Sequence, residues 1–232
     1  MHTEVVISHY DRDLSWVKGF DPDVKVNIIT KSESKDIDSL LDSDHSVLKV
    51  KNIGRDVHTF FKSISILRNY PRSTPDYIVF FLQDYPFDHF ENCVDTVNNL
   101  SLDRASVSIG GFSAFHHNTI GTMWRLSRSE HFTGSVLRCL SNGMPQDHNS
   151  EIDVDRYWRL LFTGDPPPHY EFNPGGHFAI THEHIFIRPA AFYLKIVELL
   201  ETEKVAPWMI ERLELYIFDE RYEIHDHYRL NW

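Results

Sequence analysis

The chain has 232 residues, 41% of them hydrophobic and 25% charged, which is typical of one folded domain and argues against disorder. Its formal net charge of −11 argues against a nucleic-acid binder, since affinity for a polyphosphate backbone needs clustered Lys and Arg. The two cysteines show no zinc or disulfide spacing, and no signal-peptide pattern or membrane-length apolar run occurs, so we expect a cytoplasmic protein without a membrane span.

Hydrophobic periodicity predicts strands that alternate with helices along the chain. Strands are predicted over Glu4–His9, Val24–Thr30, Val47–Val50, Ile78–Leu82, Ala105–Gly111 and Phe178–Ile180. Helices are predicted over Leu14–Phe20, 57–67, Asn92–Leu100, Glu130–Leu140, Asp153–Phe162, 189–200 and 207–217. This alternation predicts a single α/β domain with a mainly parallel central sheet flanked by helices.

The strongest local signal is a strand that ends abruptly in polar side chains. The continuous apolar run Ile78–Leu82 is typical of a strand buried on both faces, and Gln83, Asp84, Asp88 and His89 follow it closely. Ligands of open α/β sheets bind beyond the carboxyl ends of the strands, which favours a site here. Aspartates that merely cap a turn and the next helix explain the same pattern.

A second signal precedes the helix predicted over 57–67. The segment Asn52-Ile-Gly-Arg-Asp56 places Asp56 to cap this helix, with Arg55 as a fixed positive charge beside its amino terminus. Such a terminus favours an anionic ligand. A turn glycine at Gly54 and an ordinary surface arginine at Arg55 are the alternative interpretation.

The last third of the chain carries three further candidate features. A diglycine, Gly175-Gly176, precedes the strand at Phe178–Ile180 and would let a ligand approach the backbone closely. Two histidines, His225 and His227, flank an aspartate with a spacing that suits a divalent metal if a third ligand lies elsewhere. The same spacing also arises by chance.

Taken together, these motifs resemble a family of glycosyltransferases with a GT-A-like (Rossmann-like) fold, similar to glycan-building enzymes of large algal viruses. The segments that carry the resemblance are His9-Tyr10, Asn52-Ile-Gly-Arg-Asp56, Phe80-Phe-Leu-Gln-Asp-Tyr-Pro-Phe-Asp-His89, Pro174-Gly-Gly-His-Phe178 and Pro207-Trp-Met-Ile-Glu-Arg212. The resemblance spans nearly the whole chain, from about Glu4 to Phe218. It implies transfer of a sugar from a nucleotide-sugar, with a UDP-sugar favoured and a xylosyl or hexosyl group as examples, to a hydroxyl of a glycan or glycoprotein.

The resemblance also implies a donor site and a divalent cation, Mn²⁺ or Mg²⁺, that neutralises the diphosphate. The donor-site candidates are His9, Tyr10, Asp11, Asn52, Gly54, Arg55, Asp56, Gln83 and Asp84. The metal-ligand candidates are Asp84, Asp88, His89, His225 and His227. The paired aspartates usual in such enzymes are reduced here to Asp84, so Arg55 with the helix terminus is an alternative means of stabilising the leaving phosphate.

For an inverting reaction, a carboxylate must accept the proton of the acceptor hydroxyl. The resemblance implies that this base is Glu211, which lies in the predicted helix beside Trp208, and that Arg212 is a second catalytic residue; an ion pair of Glu211 with Arg212 is the structural alternative. The acceptor-site candidates are Gly175, Gly176, His177 and Trp208. Two other classes of protein remain as alternatives. One is a metal-dependent hydrolase that uses Asp84, Asp88, His89, His225 and His227, and the other is a non-catalytic carbohydrate-binding module.

Overall fold

A computed structural model describes residues 2–33, 45–69, 77–88, 91–99, 124–127, 153–172 and 177–229 of the chain. Its strands are β1 (His2–His9), β2 (Lys25–Thr30), β3 (Ser46–Lys49), β4 (Tyr77–Gln83), β5 (Trp124–Ser127), β6 (His169–Phe172) and β7 (Phe178–Thr181). Its α-helices are α1 (Arg55–Asn69), α2 (Cys93–Asn99), α3 (Val154–Leu161), α4 (His182–Phe186), α5 (Ala190–Thr202) and α6 (Ala206–Ile217). Short 3-10 turns cover Ser15–Gly19, Pro86–Asp88 and Asp226–Tyr228.

The central sheet has five strands in the order β3-β2-β1-β4-β7. The first four run parallel, whereas β7 runs antiparallel to β4 and places Phe178 opposite Phe81. The predicted mixed α/β architecture with a mainly parallel sheet is therefore confirmed. Because β7 runs the other way, its first residues lie at the same edge of the sheet as the last residues of β1 and β4.

Most predicted elements in the described ranges are confirmed to within one or two residues. Leu14–Phe20 forms a 3-10 turn over Ser15–Gly19 instead of an α-helix. Helix α1 begins at Arg55, so Asp56 lies within its first turn, and the prediction that it precedes and caps the helix is wrong. Strands β5 and β6 pair with each other, and neither they nor α4 was predicted, since four or five residues give too little periodicity to detect. The elements predicted at Ala105–Gly111 and Glu130–Leu140 lie outside the described residues.

Alternate residues of the central strands supply two apolar layers, one on each face of the sheet. On one face, Val6 and Phe81 pack with the apolar sides of α1, α5 and α6. On the other face, Ile7 and Phe80 pack with Val17 and the buried side of α2. Burial on both faces explains why the central strands are continuously apolar, and it leaves only their ends for polar chemistry. No helix in the described ranges is long and apolar enough to cross a membrane.

The carboxyl end of α6 is held by the buried side chain of Arg188. Its Nε donates to the carbonyl of Ile217 at 2.8 Å, and its Nη2 donates to the carbonyls of Tyr216 at 3.2 Å and Asp219 at 2.5 Å. A cation at this position satisfies terminal carbonyls and complements the helix dipole. The Arg188 carbonyl in turn accepts from Arg68 Nε at 3.1 Å, which connects the last turn of α1 to the same corner.

We expect Arg188→Met to lower the free energy of unfolding by about 3 kcal/mol, because three carbonyls lose their charged donor while the apolar packing is largely kept. The matched control is Arg221→Met. Its side chain is 82% exposed and pairs with Asp219, so we expect no resolvable change in the free energy of unfolding. Urea unfolding of both variants measures the difference, and equal losses would contradict the anchoring role of Arg188.

Candidate functional site

The candidate site lies where the carboxyl ends of β1, β2 and β4 meet. Strand β1 lies between β2 and β4, and the chain reaches β4 only after β3 and α1. Ligands of doubly wound sheets bind beyond the strand ends where neighbouring connections diverge in this way. Gln83, the last residue of β4, lies opposite Ser8 near the end of β1, so both strands deliver polar side chains to this point.

Asp84 connects the ends of β4 and β1. Its Oδ2 accepts hydrogen bonds from three successive backbone N–H groups, those of Tyr10 at 2.9 Å, Asp11 at 3.3 Å and Arg12 at 3.2 Å. Its carbonyl accepts a fourth from Trp16 Nε1 at 3.0 Å. The aspartate predicted to bind a metal or the donor is thus engaged with the loop that follows β1.

His9, a donor-site candidate, is buried and uses both ring nitrogens inside the protein. Its Nε2 lies 3.2 Å from the Arg12 carbonyl, which can only accept, so Nε2 carries the proton. Its Nδ1 lies 3.0 Å from Thr30 Oγ1 and therefore accepts from that hydroxyl in the neutral ring. His9 thus connects β1 to β2, while the next two residues, Tyr10 and Asp11, face solvent.

Lys31 follows β2 directly, and its buried ammonium holds the entry to α1. Its Nζ donates to the carbonyl of Ile53 at 2.8 Å and to the carbonyl of Arg55. Burial is the main cause that lowers the pKa of Lys31 to about 8, while the charge of Asp56 raises it and that of Arg55 lowers it further. Lys31 thus fixes the turn that presents Gly54 and Arg55.

This turn has unusual backbone geometry. Gly54 has a φ of 62° and Arg55 a φ of 53°, both in the left-handed region. A Cβ at Gly54 would lie 2.5 Å from His58 Cβ and 2.8 Å from the Leu200 carbonyl oxygen, so only glycine fits. For Arg55 the left-handed conformation is strained, and the carbonyls bound by Lys31 help to hold it.

The Arg55 side chain joins α1 to α6. Its guanidinium lies 5.0 Å from the ring centroid of Trp208, in the first turn of α6. This cation–π distance is within the favourable range. The exposed Arg55 is therefore held beside the amino terminus of α1, where backbone N–H groups favour an anion.

Asp56, next to Arg55, adds a second carboxyl group, besides Asp84, to the candidate site. Burial is the main cause that raises the pKa of Asp56, and the negative charge of Asp84 acts in the same direction. A hydrogen bond from Ser8 and the charges of Lys31 and Arg55 lower it. The hydrogen bond with Ser8, near the end of β1, connects Asp56 at the start of α1 to this edge of the sheet.

Glu211 and Arg212 lie one turn beyond Trp208 on α6. Arg212 is fully buried, donates Nη1 to the Trp208 carbonyl at 2.5 Å, and lies over the Phe172 ring at 4.7 Å. Glu211 Oε2 lies 3.6 Å from Arg212 Nη1, so the ion pair expected as the structural alternative is present. The Glu211 side chain is 15% exposed, whereas Arg212 is not exposed.

A second carboxyl group, Glu214, lies beside this pair. Burial, and after it the negative charge of Glu211, raises the pKa of Glu214 well above its usual value. None of the described residues hydrogen-bonds the Oε1 of Glu214.

Of the acceptor-site candidates, Trp208 lies at the cluster through Arg55, and His177 is buried just before β7. Because Phe178 pairs with Phe81, His177 lies at the sheet edge where β4 ends. Gly175 and Gly176 lie outside the described residues. Asn52 is exposed two residues before Gly54, on the approach to the same turn.

The metal-ligand candidates are only partly described. His89 and the side chain of Asp88 lie outside the described residues. His225 and His227 stack with ring centroids 5.4 Å apart, and His225 Nε2 donates to the Arg159 carbonyl at 2.9 Å. Within the described ranges, no three His, Cys, Asp or Glu side chains form a group able to hold a metal ion. The described residues therefore do not bring these histidines together with Asp84.

Sequence analysis did not single out Lys31, Trp16 or Ser8. A lysine that directly follows a predicted strand carries a weak signal, since strand ends collect functional groups in α/β sheets. Trp16 and Ser8 carry none, because their roles depend on contacts with Asp84 and Asp56 far along the chain.

We expect Gly54→Ala to destabilise the fold by about 3 kcal/mol, from the left-handed backbone and the overlap with α1 and α5. The matched control is Gly164→Ala. Its φ of 75° is also left-handed, but a Cβ there meets nothing within 4 Å, so only the backbone cost of about 1 kcal/mol applies. Thermal or urea unfolding compares the two variants. An equal loss of unfolding free energy in both would show that a Cβ at Gly54 does not overlap with His58 and Leu200.

Lys31 should make stability depend on alkaline pH. Its folded-state pKa of about 8 lies below the unfolded value of 10.5, so between these values the unfolded chain binds more protons and stability rises with pH. We expect the free energy of unfolding of the native chain, relative to Lys31→Met, to rise by about 2 kcal/mol between pH 7 and pH 10. Parallel urea titrations measure this difference, and a difference that stays constant would show that the lysine is not desolvated.

Comparison with curated proteins and with solved structures gives no match. A family model does match, over residues 5–227, and its description is a protein of unknown function, DUF3431. The matched range begins in β1 and ends in the last 3-10 turn, so it includes the whole cluster at the sheet edge. The chain therefore belongs to the DUF3431 family.

Proposed function

We propose that this chain is a glycosyltransferase with a GT-A-like fold that uses a nucleotide-sugar donor. The observation that carries the proposal is the contact between the Arg55 guanidinium and the Trp208 ring at 5.0 Å. It links an anion-favouring helix terminus at the strand ends to the turn of α6 that precedes Glu211. The proposal assigns the cation for the diphosphate to the start of α1 and the carboxylate base to α6, the two elements that this contact joins.

The donor is recognised first through its negative charge. In a protein with a net charge of −11, a nucleoside diphosphate needs a local source of positive charge. Arg55 and the first turn of α1 supply it, and Lys31 fixes their geometry. Tyr10 and Asp11 face solvent beside this point and are available to the base and ribose. A UDP-sugar remains the favoured donor, as the family resemblance implies.

The proposed reaction is a displacement at the anomeric carbon of the donor sugar. The Glu211 carboxylate accepts the proton of the acceptor hydroxyl as the hydroxyl oxygen forms its bond to that carbon. The bond from the carbon to the diphosphate breaks, and the diphosphate leaves with the electron pair. Arg55 stabilises the charge that develops on it. The ring of Trp208 offers the acceptor sugar an apolar face beside the base.

A divalent cation, Mn²⁺ or Mg²⁺, would supply further charge at the diphosphate when bound. The described donor set does not fit such an ion, since one Asp84 oxygen already accepts three N–H groups and no three His, Cys, Asp or Glu side chains of the described residues form a group around it. The roles proposed for Arg55, Trp208 and Glu211 therefore do not depend on the cation. The cation stays a separate prediction, which depends on Asp88 and His89.

Nucleotide binding tests the proposal directly. A ligand bound only by the folded state raises the melting temperature, so we expect a UDP-sugar to stabilise the chain, and GDP- and dTDP-sugars to do so less. The panel is measured with Mn²⁺ and with excess EDTA, which tests the cation independently. If no nucleotide-sugar shifts the melting temperature under either condition, the proposed function is wrong.

Glu211→Gln separates binding from chemistry. We expect this variant to keep the donor-induced thermal shift while transfer to a glycan acceptor falls by about 10² to 10⁴, because the amide cannot accept the proton. The matched control, Glu198→Gln, changes a glutamate whose side chain is 60% exposed on α5, and should leave both readouts unchanged. Full transfer activity in Glu211→Gln would exclude Glu211 as the base.

A further inference from the structure

The loop Tyr10–Arg12 follows β1, and its shape depends on one side chain from the neighbouring strand. Three successive backbone N–H groups of this loop converge on a single oxygen of Asp84. Successive N–H groups that point to one position form an anion-binding concavity. Here the anion is supplied by the protein itself.

The backbone of Asp84 is held as firmly as its carboxylate. Its carbonyl accepts from Trp16 Nε1 at 3.0 Å, and the Trp16 ring packs edge-on against Phe20 at 5.5 Å and Phe87 at 5.6 Å. These aromatic contacts fix Trp16 in the layer beneath the loop. Asp84 is therefore bound on both sides to the segment that follows β1.

We infer that Asp84 is a positioning residue, whose carboxylate shapes the Tyr10–Arg12 loop as a hydrogen-bond acceptor. Its role in the donor site, which rests on the proposed function, is to hold the exposed Tyr10 and Asp11 where the nucleotide binds. The concavity is already filled by Asp84 Oδ2, so the diphosphate is bound instead at Arg55 and the start of α1.

This role explains why one aspartate suffices here, whereas the glycosyltransferases that the sequence resembles usually carry a pair. A metal site needs several oxygen or nitrogen ligands that converge on the ion. An acceptor for three N–H groups needs only one oxygen in the right place, and its negative charge strengthens each bond. The Gln83-Asp84-Tyr85 sequence meets the second requirement with its single carboxylate.

Hydrogen–deuterium exchange on the full chain tests the loop contact without any ligand. In Asp84→Ala the amides of residues 10–12 should exchange about tenfold faster or more, because their acceptor is lost. Asp84→Asn keeps an acceptor oxygen and should stay within about threefold of the native chain. The amides of Val5–Ile7 in β1 report global unfolding and should be unchanged in both variants.

The matched control is Asp95→Ala, an exposed aspartate of α2 whose side chain should leave the loop unaffected. Unchanged exchange of residues 10–12 in Asp84→Ala, or equally fast exchange in Asp84→Asn, would overturn the inference.

Donor affinity supplies the second readout, measured by calorimetry with a UDP-sugar in EDTA and then in Mn²⁺. We expect Asp84→Ala to bind about tenfold more weakly and Asp84→Asn to bind nearly as the native chain does. Loss of Mn²⁺-dependent binding in Asp84→Asn, with its loop exchange unchanged, would make Asp84 a metal ligand and overturn the inference. If the exchange results hold but the native chain binds no nucleotide, the loop contact stands and the proposed function fails.

Discussion

The parallel pairing of β1 with β4 is the constraint on which the rest of this structure depends. Parallel neighbours cannot be joined by a tight turn, so a long crossover connects β1 to β4. This crossover contains β2, β3 and α1. That path brings the residues after β1 and after β4 to the same edge of the sheet. Asp84 then reaches Tyr10, 74 residues earlier in the chain, with a hydrogen bond of 2.9 Å.

The edge of the sheet where β1 and β4 end also provides local positive charge in an otherwise acidic protein. Lys31 ends β2 and is buried against the turn before α1, where its ammonium is shared between two carbonyls. The cost of burying a charge is offset by these hydrogen bonds and by the nearby Asp56. Arg55, held in a left-handed conformation, is thereby aimed at Trp208, so a structural lysine positions the arginine that faces solvent.

Helix α6 contributes two buried ionisable side chains, Arg212 and Glu214. Arg212 and Glu214 are both buried, but Arg212 Nη1 lies 3.6 Å from Glu211 Oε2 as an ion pair, whereas burial and the charge of Glu211 raise the pKa of Glu214. A second ionised carboxylate here would repel Glu211. Glu211, whose side chain is 15% exposed, is the more accessible of the two carboxyl groups of α6.

Local sequence patterns are enough to predict which segments form the core and where polar groups interrupt them. Apolar runs such as Ile78–Leu82 predicted buried strands, and the segment Asn52–Asp56 predicted a helix entry, because these patterns depend on local periodicity. Tertiary structure decided what the polar groups do. Asp84 resembled a metal ligand in the sequence but accepts backbone N–H groups, and Arg55 meets Trp208 far along the chain, because such contacts follow from strand order, which no local pattern encodes.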